Sequence, residues 1–340
     1  MNKILFLFFT LLVNVPIFGQ IQPIAERKNI PIPVLCYHHV TDQDKQGFNV
    51  KVADFEKQME FLKTNGYIPV GLDQFMEFYK KGTPKDFPGK PVVISFDDGG
   101  RSVYEFAYPI LKKYNFKSVL FLYPTIISNP KHKAYLKWEE LKFLVKTGLF
   151  DIASHSLYHP RLVELSESEL KEQLVKSRSE LNEKLGVKVK DIAFPFGLYD
   201  ERVFRLMQEA GYRSGFTINP GLNSPITHPY RLHRFLIRTS DSLKTFAGYL
   251  EYPTFERYSI FPENGSIIKE GDSFKITFPG ETPKNLQVKI NGKEIKLHYT
   301  GSALTGIFPK LVSRKIMTMI LKESSEKKNK TSQLLYIVKR

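Results

Sequence analysis

The stretch from Val92 to Gly100, Val-Val-Ile-Ser-Phe-Asp-Asp-Gly-Gly, is an apolar run that stops at two adjacent carboxylates, Asp97 and Asp98. Continuous apolar runs are typical of parallel strands that are buried on both faces, and such folds place their sites at the carboxyl ends of the strands. Two neighbouring acidic groups repel each other, so a site that keeps both needs a cation or a proton between them. The stretch therefore predicts a buried strand that presents an acidic pair to a functional site.

A second polar motif, His155-Ser-Leu-Tyr-His159, follows the end of another predicted strand. The proline at position 160 favours a loop or a first helical turn over a helix interior. Neutral imidazole nitrogens are common ligands of zinc and related divalent cations. Together with Asp97 and Asp98, the two histidines predict a metal-dependent hydrolytic centre.

Apolar strands alternate with helical segments around this centre. The alternation predicts a parallel α/β fold, and we expect a distorted (β/α)7-8 barrel over residues 30–252. In a barrel the carboxyl ends of all strands meet at one face. Polar clusters follow several predicted strands and are expected to converge there: His38-His39, Asp97-Asp98, His155, Pro195-Phe-Gly197 and His233.

The pattern changes after Tyr252, where runs with a period of two replace the helical segments. Asn291-Gly292 between two such runs is a strong signal for a two-residue hairpin. We predict that residues 262–340 form a small all-β sandwich, which resembles the immunoglobulin-like modules of secreted enzymes. From Phe255 to Arg340, sixteen Lys and Arg stand against eight Asp and Glu, a net charge of +8. This charge suits an anionic envelope polymer, and a passive spacer role stays open.

The amino terminus has the features of a secretory signal peptide over residues 1–19. A positive Lys3 precedes an apolar run from Ile4 to Val13, and a small residue, Gly19, precedes Gln20. The run is too short for a membrane-spanning helix, so no transmembrane segment is expected in the mature protein. We therefore expect export to the periplasm or the exterior, which makes nucleic acid an improbable partner. Because Cys36 is the single cysteine, no internal disulfide can form.

Several of these segments resemble the motifs of the NodB-homology polysaccharide deacetylases, carbohydrate esterase family 4. Ser95 to Gly99 matches the first motif of that family, Thr/Ser-Phe-Asp-Asp-Gly, and His155 to His159 matches the second, His-Ser/Thr-x-x-His. Ala193 to Gly197 is similar to the third motif, and Leu232-His233 is similar to the fifth. Val34 to Val40, which contains Tyr-His-His, resembles the opening of the branch that acts on poly-N-acetylglucosamine.

The resemblance implies a catalytic base and a metal centre. Asp97 would be the base, and Asp98, His155 and His159 would hold a divalent metal, most often zinc, with cobalt, manganese and nickel as other candidates. Three protein ligands leave positions open for water and substrate, as a catalytic site requires. The metal-bound water would be the nucleophile, and Asp97 would take its proton.

The resemblance also implies an oxyanion site and a proton donor. The backbone N–H near Pro195 and Phe196 would stabilise the tetrahedral oxyanion together with the metal. His233 would protonate the leaving amine, with His38 or His39 as the alternative donor.

Two departures from the family pattern affect the support of this centre. The third motif begins with Ala193 where the family has an arginine that orients the base, and the candidates to replace it are Arg101, Arg231 and Arg234. A fourth motif, Asp-x-x-x-Trp, is not found in the sequence. The leading hypothesis is an N-deacetylase of an N-acetylglucosamine-containing polysaccharide. An O-acetyl esterase and a non-catalytic carbohydrate-binding protein are the alternatives.

Overall fold

A computed structural model describes residues 27–43, 47–252, 258–262, 266–269, 271–278, 282–283, 285–309, 316–324 and 329–338. The predicted signal peptide lies outside these residues. None of the helices in the described part of the chain has both the length and the apolar character that crossing a bilayer requires.

The first structural unit is built on an eight-stranded sheet whose strand pairs are all parallel. Its order is β7-β6-β5-β4-β3-β1-β8, with β2 paired to the first half of β3. The strands are β1 (Val34–Tyr37), β2 (Tyr67–Pro69), β3 (Lys90–Asp97), β4 (Ser118–Leu122), β5 (Phe150–Ser154), β6 (Asp191–Ala193), β7 (Ser214–Phe216) and β8 (Phe235–Leu236).

The sheet curls back on itself. On one side β8 pairs with β1 through Phe235 and Leu35, and just before β8 a parallel bridge joins Leu232 to Phe216 of β7. The first and last strands of the unit therefore lie side by side. This curled parallel sheet with helices around it agrees with the predicted (β/α) barrel.

Helices follow most of the strands, as the alternation predicts. They are α1 (Val52–Thr64), α2 (Leu72–Lys81), α3 (Tyr108–Tyr114), α4 (Trp138–Lys146), α5 (Glu167–Leu185), α6 (Glu201–Glu209) and α7 (Leu243–Leu250). The longest, α5, begins at the N-cap Ser166, whose side chain accepts a hydrogen bond from the Glu169 backbone N–H, and ends at Gly186 with a φ of 66°. Only a residue that tolerates this left-handed conformation can end the helix there without strain.

Alternate residues of the strands belong to two different apolar clusters. Val93, Val119 and Phe121 lie in the cluster inside the barrel, where they meet the apolar face of α2, whereas Ile94 and Leu120 pack on the outer side against the other helices. Because successive side chains point to opposite faces of a strand, this register also decides which polar residues enter the barrel. Val93, Ser95 and Asp97 share the inner face of β3.

The second unit contains two β-sheets. One has the order β9-β11-β15-β14 and the other β10-β17-β16-β12-β13. The strands are β9 (Ser259–Phe261), β10 (Ile267–Ile268), β11 (Ser273–Thr277), β12 (Leu286–Ile290), β13 (Lys293–Glu294), β14 (His298–Thr300), β15 (Ala303–Ile307), β16 (Ile316–Ser324) and β17 (Asn329–Val338).

Apolar side chains from both of these sheets form one core, for example Phe274 and Leu304 from the first and Val288 and Met319 from the second. The unit is therefore a two-layer β structure. The predicted hairpin is confirmed, because β12 pairs antiparallel with β13 across Asn291 and Gly292, which have φ values of 49° and 84°. The immunoglobulin-like topology and the domain boundaries at 252 and 262 stay predictions.

Candidate active site

Asp97 and Asp98 lie at the carboxyl end of β3, where the chain turns sharply out of the sheet. Asp97 is the last residue of the strand and is buried, and Asp98 adopts a left-handed conformation with a φ of 70°. Gly99 follows with a φ of 77°, and a Cβ at this position would lie 2.9 Å from the Leu122 side chain. The turn separates the two carboxylates, so that one side chain points into the barrel and the other lies at its mouth.

His155 and His159 reach the same mouth from the end of β5. The segment is a loop, and Ser156 and His159 both have left-handed backbones with φ values of 67° and 59°. Strained conformations of this kind persist only where the surrounding structure enforces them, and they concentrate at functional sites. The predicted loop is confirmed.

The two imidazoles converge on Asp98. Its Oδ1 lies 3.6 Å from Nε2 of His155 and 3.4 Å from Nε2 of His159, and the two Nε2 atoms are 3.1 Å apart. All three donor atoms lie within 4.8 Å of one another. Asp98 Oδ1 is buried without a hydrogen-bond partner among the described residues, which is costly unless a cation or a proton compensates.

The protonation states of these groups suit a divalent cation. Nδ1 of His155 lies 2.8 Å from the Ala193 carbonyl, and donation to that oxygen leaves Nε2 with a free lone pair. Burial lowers the pKa of His155 to about 3, although Asp97 opposes the shift, and burial lowers the pKa of His159 as well. Burial raises the pKa of Asp98 to about 6, and the charge of Asp97 adds to it. Two neutral imidazoles and a carboxylate that needs a countercharge form a donor set that fits a divalent metal ion.

Asp97 is held by Arg234 in a bidentate ion pair. Nη1 of Arg234 lies 2.6 Å from Oδ1 and Nη2 lies 2.8 Å from Oδ2. Arg234 is fully buried, donates through Nε to the Thr217 carbonyl at 2.8 Å, and lies over the Phe121 ring at 5.0 Å. Burial raises the pKa of Asp97, but Arg234 outweighs burial, so that the pKa of this carboxyl is well below its usual value. The Cys36 thiol adds a contact of 3.4 Å to Oδ2.

The structure thus selects among the three arginines that could replace the one missing at Ala193. Arg101 pairs with Glu140 of α4 at 2.9 Å, and Arg231 lies over the Phe204 ring at 5.1 Å. Among the described contacts of these three arginines, those to Asp97 come from Arg234. Arg234 follows Leu232 by two residues, which indicates that the two side chains share one face of the chain. The sequence does not indicate which strand that face meets.

Phe196 lies beside the histidines after β6. Its φ of 59° is left-handed, and its ring lies 4.8 Å from the His159 ring and 5.1 Å from the Arg161 guanidinium carbon. Pro195 is buried beneath it. The structure therefore brings the predicted oxyanion segment next to the Asp98–His155–His159 cluster.

Among the described residues, His233 has no hydrogen bond or ion pair with Asp97, Asp98, His155 or His159. Leu232 and Arg234, on either side of it, face the inside of the barrel. Its backbone is held by Asn223 through hydrogen bonds of 2.8 and 2.9 Å, and its ring packs over Gly221, where a Cβ would lie 2.9 Å from the ring Cγ. Burial lowers the pKa of His233 to about 4.

His38, by contrast, lies close to both carboxylates. It follows β1, in which Tyr37 pairs with Phe96 of β3, and it shares the inner face with Cys36. Protonation of His38 lowers the pKa of Asp97 and of Asp98. Its Nδ1 is buried without a hydrogen-bond partner in the described part of the chain, and its ring stacks on Phe48 at 5.1 Å. The alternation of Val34, Cys36 and His38 was the available sequence signal for this placement.

Comparison with known proteins agrees with this geometry. The family model described as polysaccharide deacetylase matches residues 84–215. Poly-beta-1,6-N-acetyl-D-glucosamine N-deacetylase of Staphylococcus aureus (strain MSSA476) is 30% identical over 211 residues, which are 59% of this chain and 72% of that protein. The chain belongs to the polysaccharide deacetylase family.

Solved structures of this fold extend the comparison. IcaB from Ammonifex degensii is 25% identical, with a TM-score of 0.59, and the match covers 66% of this chain and 98% of that one. The Streptococcus pyogenes deacetylase PplD in complex with acetate is 23% identical, with a TM-score of 0.59 over 66% of this chain and 99% of that one, and shows the shared fold. Membership in this family makes the chain a polysaccharide deacetylase, a hydrolase.

Proposed function

We propose that this polysaccharide deacetylase removes N-acetyl groups from an N-acetylglucosamine-containing polymer and depends on a divalent metal ion. The observation that carries the proposal is the convergence of Asp98, His155 and His159 beside an Asp97 that Arg234 holds ionised. The similarity to a poly-beta-1,6-N-acetyl-D-glucosamine N-deacetylase supports the substrate class.

Asp98, His155 and His159 would hold the ion, and their donor set favours Zn²⁺. The ion would supply a Lewis acid that polarises the acetamide carbonyl and acidifies the attacking water, which a carboxylate as weakly basic as Asp97 requires. The Nδ1–H of His155 donates a hydrogen bond to the Ala193 carbonyl, so the ring stays in one tautomer and one orientation.

Asp97 is the proposed general base. Arg234 contacts both carboxylate oxygens and fixes the plane of the group. Fixed orientation of a base is a large part of its effectiveness. The strained segment at Pro195 and Phe196 is the proposed source of the backbone N–H for the oxyanion.

His38 is the proposed proton donor to the leaving amine, in preference to His233. The placement of His38 beside Asp97 and Asp98 supports this role, whereas the His233 ring packs over Gly221. A donor must also be protonated before the amine leaves, and the low pKa of His233 keeps it neutral near pH 7.

Acetate release from a panel of acetylated glycans tests the proposal. The panel contains β-1,6-linked N-acetylglucosamine oligomers, chitin oligomers, peptidoglycan and O-acetylated xylan, each with chelator and with added Zn²⁺. We expect release from the N-acetylated polymers that chelator abolishes and Zn²⁺ restores. Release from xylan alone would identify an O-acetyl esterase, and release that persists in an Asp98→Asn, His155→Ala variant would contradict the metal centre.

We further propose export of the protein and binding of an anionic envelope polymer by the basic second unit. The predicted signal peptide and the net charge of +8 from Phe255 to Arg340 support these proposals. Lys275 and Lys289 are exposed on the two sheets. Their replacement by Glu should reduce co-sedimentation with an anionic polymer such as teichoic acid, while activity on soluble oligomers is retained. Unchanged sedimentation would count against the binding role.

A further inference from the structure

Two partly exposed phenylalanines flank the centre on opposite sides. Phe48 and Phe196 are 43% and 49% exposed. Phe48 stacks on His38, which follows β1, and Phe196 follows β6 and contacts His159. In the sheet, β1 adjoins β3 on one side, and β4, β5 and β6 lie on the other. The carboxylates at the end of β3 therefore lie between the two rings.

Both rings are held in place by their surroundings. The Phe48 carbonyl accepts a hydrogen bond from the His39 backbone N–H at 3.5 Å, and the planes of Phe48 and His38 are inclined by 27°. The carbonyl of the preceding Gly47 accepts from the Thr239 N–H at 3.1 Å, which ties this segment to the chain beyond β8. Phe196 is restrained by its left-handed backbone and by Arg161. A ring that is already ordered loses little entropy when a ligand covers it.

The chemistry of the proposed substrate indicates a binding role for these two rings. Single exposed apolar residues are normal on protein surfaces, but these two lie directly beside the groups that act on a sugar. A pyranose ring presents a face of C–H groups, which pack well on the face or edge of an aromatic ring. An N-acetylated sugar carries no charge, so apolar stacking rather than ion pairing is suited to hold it.

We propose that Phe48 and Phe196 are stacking platforms for the two sugar residues on either side of the one that loses its acetyl group. The site then takes internal residues of an N-acetylhexosamine polymer in preference to the free sugar. This inference rests on the proposed function. Contacts to the flanking sugars are remote from the reacting bond, so their removal weakens the binding of long substrates without altering the chemical step.

Kinetics on substrates of different length test the inference. The substrates are a β-1,6-linked N-acetylglucosamine pentamer, the monosaccharide and p-nitrophenyl acetate, with the Zn²⁺-loaded full chain. Phe48→Ala should raise KM for the pentamer about tenfold. For the two small substrates, kcat and KM should stay nearly unchanged. Phe48→Tyr keeps an aromatic face and should behave as the wild type. Phe143→Ala is the matched control, because Phe143 is 45% exposed but packs on Tyr104 and Tyr108, away from the centre.

The outcomes separate the inference from the proposed function. A loss of kcat that is equal on the pentamer and the monosaccharide, with p-nitrophenyl acetate little affected, would mean that Phe48 acts only through His38 and would overturn the inference, as would an unchanged KM for the pentamer. If the wild type releases no acetate from any glycan, the proposed function fails. Calorimetric titration with the pentamer then decides the inference separately: weaker binding by Phe48→Ala supports it, and equal binding overturns it.

Discussion

Arg234 and Asp97 are 137 residues apart in the chain, yet they form two parallel hydrogen bonds of 2.6 and 2.8 Å inside the barrel. Both side chains are almost completely buried, with exposed fractions of 0% and 2%. The pair brings the last strand of the barrel to the end of β3, and it supplies the arginine that the third motif lacks at Ala193.

Replacement of this arginine should be costly in a way that depends on the new side chain. Arg234→Lys keeps the charge but loses the planar bidentate contact, and we expect kcat/KM to fall about a hundredfold because Asp97 is no longer oriented. Arg234→Met leaves a buried carboxylate without its partner and should lower the free energy of unfolding by about 3–5 kcal/mol. Steady-state kinetics and urea denaturation measure the two effects. Arg231→Lys is the control, and an equal loss in this variant would contradict the assignment.

Metal binding should be visible in stability as well as in activity. Zn²⁺ in hundredfold excess over its dissociation constant should stabilise the chain by about 2.7 kcal/mol. Differential scanning calorimetry of the chelated and reloaded protein measures this gain. Asp98→Asn removes the charged ligand and should abolish the stabilisation by Zn²⁺. Asp241→Asn, a substitution outside the cluster, should retain this stabilisation. A full Zn²⁺ shift in Asp98→Asn would rule out the proposed ligand set.

The proton donor can be identified from the leaving group. Loss of a general acid costs about 10²–10⁴ in rate when the leaving group must be protonated. His38→Gln should therefore lose this factor on an N-acetylglucosamine oligomer and much less on p-nitrophenyl acetate, whose phenolate leaves without a proton. His233→Gln should affect both substrates little. The opposite ranking of the two variants would restore His233 as the donor.

The cap of α5 offers a stability prediction that is independent of the site. Ser166 accepts a hydrogen bond from the Glu169 N–H, and its own N–H donates to Glu169 Oε2 at 2.9 Å. Ser166→Ala should lower the free energy of unfolding by about 1 kcal/mol without a change in kcat. Urea denaturation measures the loss, and Ser166→Thr should recover most of it. If activity falls with stability, α5 has a role in the site that its position does not suggest.

The barrel and the Asp-Asp and His-x-x-x-His motifs can be predicted from the sequence, because strand ends and helix caps are local features. Asp97, Asp98, His155 and His159 were predicted together for this reason, and the structure places them together. The choice of Arg234 over Arg101 and Arg231 needed the order of strands in the closed sheet, which no local pattern contains.

The proton donor is hard to predict from the sequence for a different reason. Leu232-His233 was read as the family motif, but the residue that faces the barrel there is Arg234. Residues 232–234 precede β8, so the contacts of their side chains depend on how this connection packs, which no local pattern contains. A period of two, applied to Val34, Cys36 and His38, would have favoured His38. No sequence pattern indicates a role for Phe48. The proposed role depends on the contact of Phe48 with His38 in the structure rather than on its neighbours in the sequence.

The closure of the barrel has a consequence for when the molecule can become active. Its first strand pairs with its last, and Asp97 obtains its partner only from the residue just before that last strand. A chain still emerging during synthesis or export, with residues up to about 230 available, would hold an acidic group in its interior without a countercharge. The proposed catalytic centre is therefore complete only when the last strand of the barrel has paired with the first.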